Sequence, residues 1–111
     1  MTEHQIQKDC EDYLQRLQAM GKLMYLSLNS GFAFMFHGDK KYKIKLCPKG
    51  TADILVIKPC NLNPEVYFLE VKTDKGKQSE AQIKFQEDVE LMGCYYRVIR
   101  SLDEVMELLS V

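Results

Sequence analysis

Two β-rich runs, "TADILVIK" at 51–58 and "EVYFLEVKT" at 65–73, stand six residues apart, across "PCNLNP". This pair constrains the fold more than any other feature of the chain. Both runs are dense in the β-branched and aromatic residues that suit a pleated, half-buried surface. The linker carries two prolines and two asparagines, which turn the chain. So short a link excludes a parallel crossover, so the two strands pair antiparallel. With Lys58 and Glu65 as the closing pair, Val56 falls opposite Tyr67 and Asp53 opposite Glu70. Opposed residues have Cβ atoms ~4.5–5.5 Å apart, and alternation puts Lys72 on the same face as Glu70. One end of an aliphatic sheet therefore gathers two carboxylates and an ammonium. Two like charges that close are costly unless a cation lies between them.

The flanking sequence supplies the other elements. Thr2-x-x-Gln5 is a capping box that starts a helix at Glu3. Its apolar positions Ile6, Cys10, Tyr13, Leu14 and Leu17 keep helical spacing up to Gly21. "KLMYLSLN" alternates like a strand. "GFAFMFHGDKKYKIKL" reads as a hairpin around Gly38-Asp39. Ser79-x-x-Gln82 opens a second helix with Phe85, Val89 and Met92 inward, ended by Gly93. "CYYRVIR" is a further strand, and a third box, Ser101-x-x-Glu104, starts a terminal helix through Leu109. The expected order is α-β-(β-hairpin)-β-β-α-β-α, an α/β class with a mixed sheet flanked by helices.

At 111 residues the chain is expected to form a single domain, 1–111. Hydrophobic residues make up 46%, charged residues 28%, and the net charge is -1, so overall charge does not announce nucleic acid as a partner. The polar start has no secretory signal pattern, and the aliphatic run Ile54–Ile57 is too short to span a membrane. Cysteines at 10, 47, 60 and 94 and histidines at 4 and 37 lack zinc-site spacing. Free thiols in a reducing cytoplasm are the expectation.

Two more polar residues begin otherwise apolar helical faces, Glu3 on the first helix and Gln82 on the second. Taken singly, each has a plain explanation. An acidic residue in a first helical turn is favoured by the macrodipole, and Gln82 completes its own capping box. Glu70 and Lys72 read equally as an intrastrand ion pair, and Asp53 as a turn residue. Taken together, D-x16-E-x-K on two strands offers oxygen ligands that suit Mg²⁺ or Mn²⁺.

"KGTADILVI", "FLEVKTDKGKQSEAQIKF" and "GCYYRVIRSLDEV", with the "TEHQIQ" opening and the "LNSG" after the first strand, resemble the VRR-NUC domain over nearly the whole chain. That domain is the virus-type replication-repair nuclease of the PD-(D/E)XK, restriction-endonuclease-like superfamily. The ordered set G-x-x-D, E-x-K, G-K-x-S-x-x-Q and R-S-x-D-E carries the resemblance. It implies a restriction-endonuclease-like fold in which Asp53 and Glu70 bind the metal. The Val71 carbonyl is implied as a further ligand, and Glu3 as an acidic residue close by. Lys72 is implied as the catalytic lysine, and Gln82 as the helical glutamine near the scissile phosphate or attacking water. The segment Phe32–Pro48 departs from the family pattern as an insert.

The activity implied is Mg²⁺-dependent deoxyribonuclease hydrolysis, with Mn²⁺ able to substitute. The small stand-alone members, typically phage-encoded, act as homodimers on branched DNA such as Holliday junctions. A phage- or prokaryote-encoded protein working in the host cytoplasm is thus expected. Lys40, Lys41, Lys43, Lys45, Lys49, Lys75 and Lys77 flank the acidic end with the positive charge that phosphate contacts need. Lys43 and Lys45 read equally as the wet face of an edge strand. "FAFMF" reads first as a core strand and second as a dimer interface. The rivals are a nickase or nuclease on flap or linear duplex DNA, a DNA-binding module that does not cut, and a small protein-interaction domain.

Overall fold

A computed structural model describes residues 1–110. The elements are α1 (Glu3–Ala19), β1 (Met24–Ser27), β2 (Phe32–His37), β3 (Lys40–Lys45), β4 (Ile54–Lys58), β5 (Glu65–Val71), α2 (Glu80–Leu91), β6 (Tyr95–Ile99) and α3 (Leu102–Leu109). This is the order read from the sequence. The main sheet runs β1-β4-β5-β6, and β2-β3 form a separate two-stranded sheet. β4 pairs antiparallel with β1 and β5, while β5 pairs parallel with β6 across the α2 crossover. The expected register is found: Lys58 opposes Glu65 and Val56 opposes Tyr67.

The period-2 pattern splits the sheet into two unlike faces. Ile54, Val56, Leu69, Val71 and Ile99 point to one side, where α1 adds Ile6, Cys10, Leu14 and Leu17 and α3 adds Val105 and Leu109. This is the core, and most of its side chains are fully shielded from water. Cys10 lies at its centre, and burial there pushes its thiol up to about 11. The other face carries Phe68, Glu70 and Tyr96 and is covered by α2. Phe85 of α2 meets Phe68 edge-on, with centroids 5.1 Å apart, and tilts against Tyr96 at 6.2 Å. Such aromatic contacts fix position as well as burying area.

The structure corrects three expectations. Met92 stays exposed, because α2 buries no residue fully and its half-buried positions end at Val89. "FAFMF" is not a core strand, since β2 and β3 project from the body and none of their residues is buried. The third capping box is incomplete: Ser101 accepts from the Glu104 N–H, but the Glu104 carboxylate accepts from the N–H of Arg100 instead of Ser101. The first two boxes are complete, at Thr2 and Ser79. No helix among the described residues is long and apolar enough to cross a membrane.

Candidate active site

Asp53 lies one residue before β4, and its backbone N–H still donates to the Leu69 carbonyl at 3.1 Å, extending the ladder beyond the Ile54–Leu69 pair. This extension sets Asp53 beside Glu70 on the α2 side of the sheet. One Asp53 oxygen, Oδ2, accepts the Val71 N–H at 2.7 Å. The side chain is thus tied to the end of β5.

Glu70 is only 3% exposed. Its Oε2 accepts from Gln82 Nε2 at 3.3 Å, while its buried Oε1 has no hydrogen-bond donor among the described residues. A buried carboxylate oxygen left orphaned needs an explanation. Burial, followed by the Asp53 carboxylate within hydrogen-bonding range, pushes the Glu70 carboxyl up to about 8; Lys72 pulls the other way and Glu3 adds a small upward push. Asp53, Glu70, Lys72 and Glu3 therefore share one field, fed from four places in the chain. Glu3 contributes from an exposed position in the first turn of α1. Among the described residues, no three His, Cys, Asp or Glu side chains close into a ligand group. The close pair is Asp53 and Glu70.

Gln82 reaches the site through its helix cap. Its side-chain carbonyl accepts the Ser79 N–H at 2.8 Å, while its amide donates to Glu70. One carboxamide thus completes the capping box and reaches Glu70. Both ends of the carboxamide are engaged, so Gln82 acts on the site by holding Glu70. Lys72 follows β5, its N–H donating to the Ile99 carbonyl at 3.0 Å. The turn 73–76 folds back over it, and a Cβ placed on Gly76 would lie 3.3 Å from the aliphatic stem of Lys72.

Two residues of this assembly, Gly50 of G-x-x-D and Arg100 of R-S-x-D-E, stand in the motifs that carry the resemblance but were given no role of their own. Arg100 gathers the 73–76 turn, donating through Nη1 to the carbonyls of Thr73 at 2.5 Å, Gly76 at 2.9 Å and Asp74 at 3.3 Å. Gly50, at φ +94, lies so close under α2 that an added Cβ would be 2.5 Å from the Ala81 carbonyl oxygen. That contact sets the height of the α2 N-terminus, and with it Gln82, above Glu70. The lysines at 40, 41, 43, 45, 49, 75 and 77 are all exposed. An apolar cavity between Leu23, Met24, Ile57 and Pro64 lies at the other end of β4 and takes no part in the site.

A divalent cation fits these residues. It would meet an orphaned carboxylate oxygen, separate two adjacent acidic groups and replace the proton that Glu70 otherwise retains. A pH dependence follows for the metal-free protein. An acid whose folded pKa lies above its unfolded value stabilises the fold fully below the unfolded pKa and loses that contribution as pH rises through the folded one. For Glu70 the window runs from 4.5 to about 8. Denaturant unfolding in EDTA should therefore show stability falling across this range. Millimolar Mg²⁺ should restore it at the alkaline end, and Glu70→Gln should flatten the profile. A parental profile already flat in EDTA would contradict the assignment.

No model of a protein family matches the sequence, and no curated protein matches it. Among solved structures, the chain is similar to one described as "VRR_NUC domain", at 21% identity and a TM-score of 0.60. The similarity covers 99% of this chain and 97% of that one. It shows that the two share a fold from end to end, the mixed sheet and flanking helices described above. The family indicated by the motifs and the one named by the fold comparison are the same.

Proposed function

We propose that this protein is a metal-dependent, structure-specific DNA endonuclease that hydrolyses phosphodiester bonds in branched DNA, working as a homodimer. The observation that carries the reading is the pair Asp53 and Glu70, with the unpartnered, buried Oε1 of Glu70 in the field of the Asp53 carboxylate and the Lys72 ammonium. Such an arrangement has no stabilising purpose on its own, because burying an incompletely bonded carboxylate is costly. It suits Mg²⁺, with Mn²⁺ as a substitute, held by Asp53, Glu70 and the Val71 carbonyl, with Glu3 as an outer acidic neighbour. When bound, the cation acidifies a water and polarises the phosphoryl group.

The chain's own residues do the rest. Asp53, pinned by the Val71 N–H, presents a fixed oxygen to the site. Gln82 keeps Glu70 from rotating away. Lys72 neutralises charge developing on the phosphoryl oxygens and orients the attacking water, a preorganised contact of the kind whose loss costs ~10²–10³ in rate. Lys40, Lys41, Lys43, Lys45, Lys49, Lys75 and Lys77 hold the backbone phosphates on either side of the acidic centre. A two-fold dimer would match the symmetry of a four-way junction. The apolar side of the hairpin, with Met35, Tyr42 and Ile44 exposed, offers a surface for it.

One experiment tests these points together. Pure protein is incubated with a four-way junction, a flap, a splayed arm and a linear duplex, each with Mg²⁺, Mn²⁺ or EDTA, and sedimented at micromolar concentration. Paired cuts in the junction, absent in EDTA, from a sedimenting dimer are expected. Preference for the flap or the linear duplex would move the substrate to that class. Tight binding without any cutting would mark a DNA-binding module, and a monomer would remove the dimer.

A further inference from the structure

The hairpin β2–β3 has two sides, and one has a regular composition. Its register pairs Phe32 with Lys45, Phe34 with Lys43 and Phe36 with Lys41. Directly paired residues share a face, so three phenylalanines and three lysines alternate across one surface. The rings are open to solvent, at 58%, 52% and 71% exposure for Phe32, Phe34 and Phe36. Lysine ammoniums rest on two of them, Lys43 at 3.9 Å from the Phe32 centroid and Lys41 at 4.2 Å from that of Phe34. Three exposed rings gathered on one face mark a binding site. The interleaved charge decides the occupant. A protein partner or second copy burying three phenylalanines would also have to desolvate three ammoniums. An unpaired nucleic acid strand needs both groups, rings for its bases and cations for its phosphates.

We propose that the Phe32/Phe34/Phe36–Lys41/Lys43/Lys45 face is a stacking platform for an unpaired segment of nucleic acid. On binding, phosphates draw Lys41 and Lys43 off the rings, and bases take their place on the ring faces. The placement suits the proposed substrate, and in this respect the inference rests on the nuclease reading. The hairpin's neck is hydrogen-bonded at Asn29, Gly31, Leu46 and Cys47, and the adjoining Leu28 donates to the Asp53 carbonyl at 2.8 Å. The platform thus leaves the body at the sheet end that carries Asp53 and Glu70. Branched and flapped DNA offers the unpaired bases that a continuous duplex lacks.

Binding is read by fluorescence anisotropy on the full chain in EDTA, so the result does not depend on cleavage. The probes are labelled oligothymidylate, oligouridylate of the same length and a blunt DNA duplex. Replacing Phe32 and Phe34 by Ala should weaken single-strand binding by about tenfold or more and duplex binding by less than about twofold. Both positions are exposed, so the fold is retained. The chain has no tryptophan, so Phe34→Trp supplies a single reporter. It should keep single-strand affinity, and its emission should be quenched by added oligothymidylate. Equal losses on single strand and duplex would overturn the proposal, as would no loss or an unquenched reporter. A parental dimer that the double Ala variant converts to monomer would also overturn it, assigning the face to a second copy. Comparable losses with the DNA and RNA strands would support stacking common to both, and a loss confined to the DNA strand would support it with DNA as the occupant.

Discussion

Glu70→Gln is expected to lower Mg²⁺-dependent cleavage by at least about 10³-fold and, in EDTA at alkaline pH, to make the protein more stable than its parent. The two effects share one cause. The amide keeps the shape of the buried side chain and its contact with Gln82, but removes the charge that burial and Asp53 both oppose. Stability gained together with activity lost is the mark of a group kept for chemistry instead of folding. Asp53→Asn should lose cleavage similarly and recover part of the alkaline stability, since it removes one of the two causes that hold Glu70 up, whereas Lys72→Ala should lose ~10²–10³ in rate without that gain. Single-turnover cleavage of a four-way junction and urea unfolding in EDTA measure the two quantities. A Glu70→Gln protein that cut at the parental rate would end the nuclease reading.

Gly50→Ala should harm both the fold and the reaction without touching a reacting group. The new methyl would meet the Ala81 backbone, which has no rotamer to yield, at a φ of +94 that only glycine adopts freely. Overpacking of this kind costs about 1–3 kcal/mol. Relief has to come from lifting the first turn of α2, which carries Gln82 away from Glu70. Misplacement by about an ångström typically costs ~10² in rate. Cleavage should therefore fall about a hundredfold with substrate binding nearly unchanged, a loss in kcat more than in KM. Parental kcat in a folded Gly50→Ala protein would show that the height of α2 does not matter to the site.

How much of this was legible beforehand depended on whether a feature is local. The β4–β5 register could be read because a short turn fixes its closing pair and the alternation then leaves no freedom. The juxtaposition of Asp53 and Glu70 followed from it. Helix starts were legible at Thr2 and Ser79 because a capping box is complete within four residues. The same rule misplaced a bond at Ser101, where the Glu104 carboxylate accepts from the Arg100 N–H instead. Met92 was read as buried from helical spacing, but spacing does not reveal how much of a helix the sheet beneath it reaches. "FAFMF" failed as a core strand for a related reason: apolar content says that a surface wants cover, and not whether the chain provides it. Gly50 against Ala81 and Arg100 against the 73–76 turn bring together segments more than twenty residues apart, and no local pattern announces such contacts. In each case the motif residue was visible and its physical reason was not.

The hairpin's single neck has an architectural consequence. The arm enters and leaves the body through the Ser30–Cys47 bridge, and the strands beyond it add nothing to the buried interior. Everything between the two ends of that neck is an exchangeable attachment. It can be lengthened, shortened or re-surfaced while the carboxylate end of β4 and β5 stays as it is, so what the molecule grips can diverge independently of the chemistry it carries.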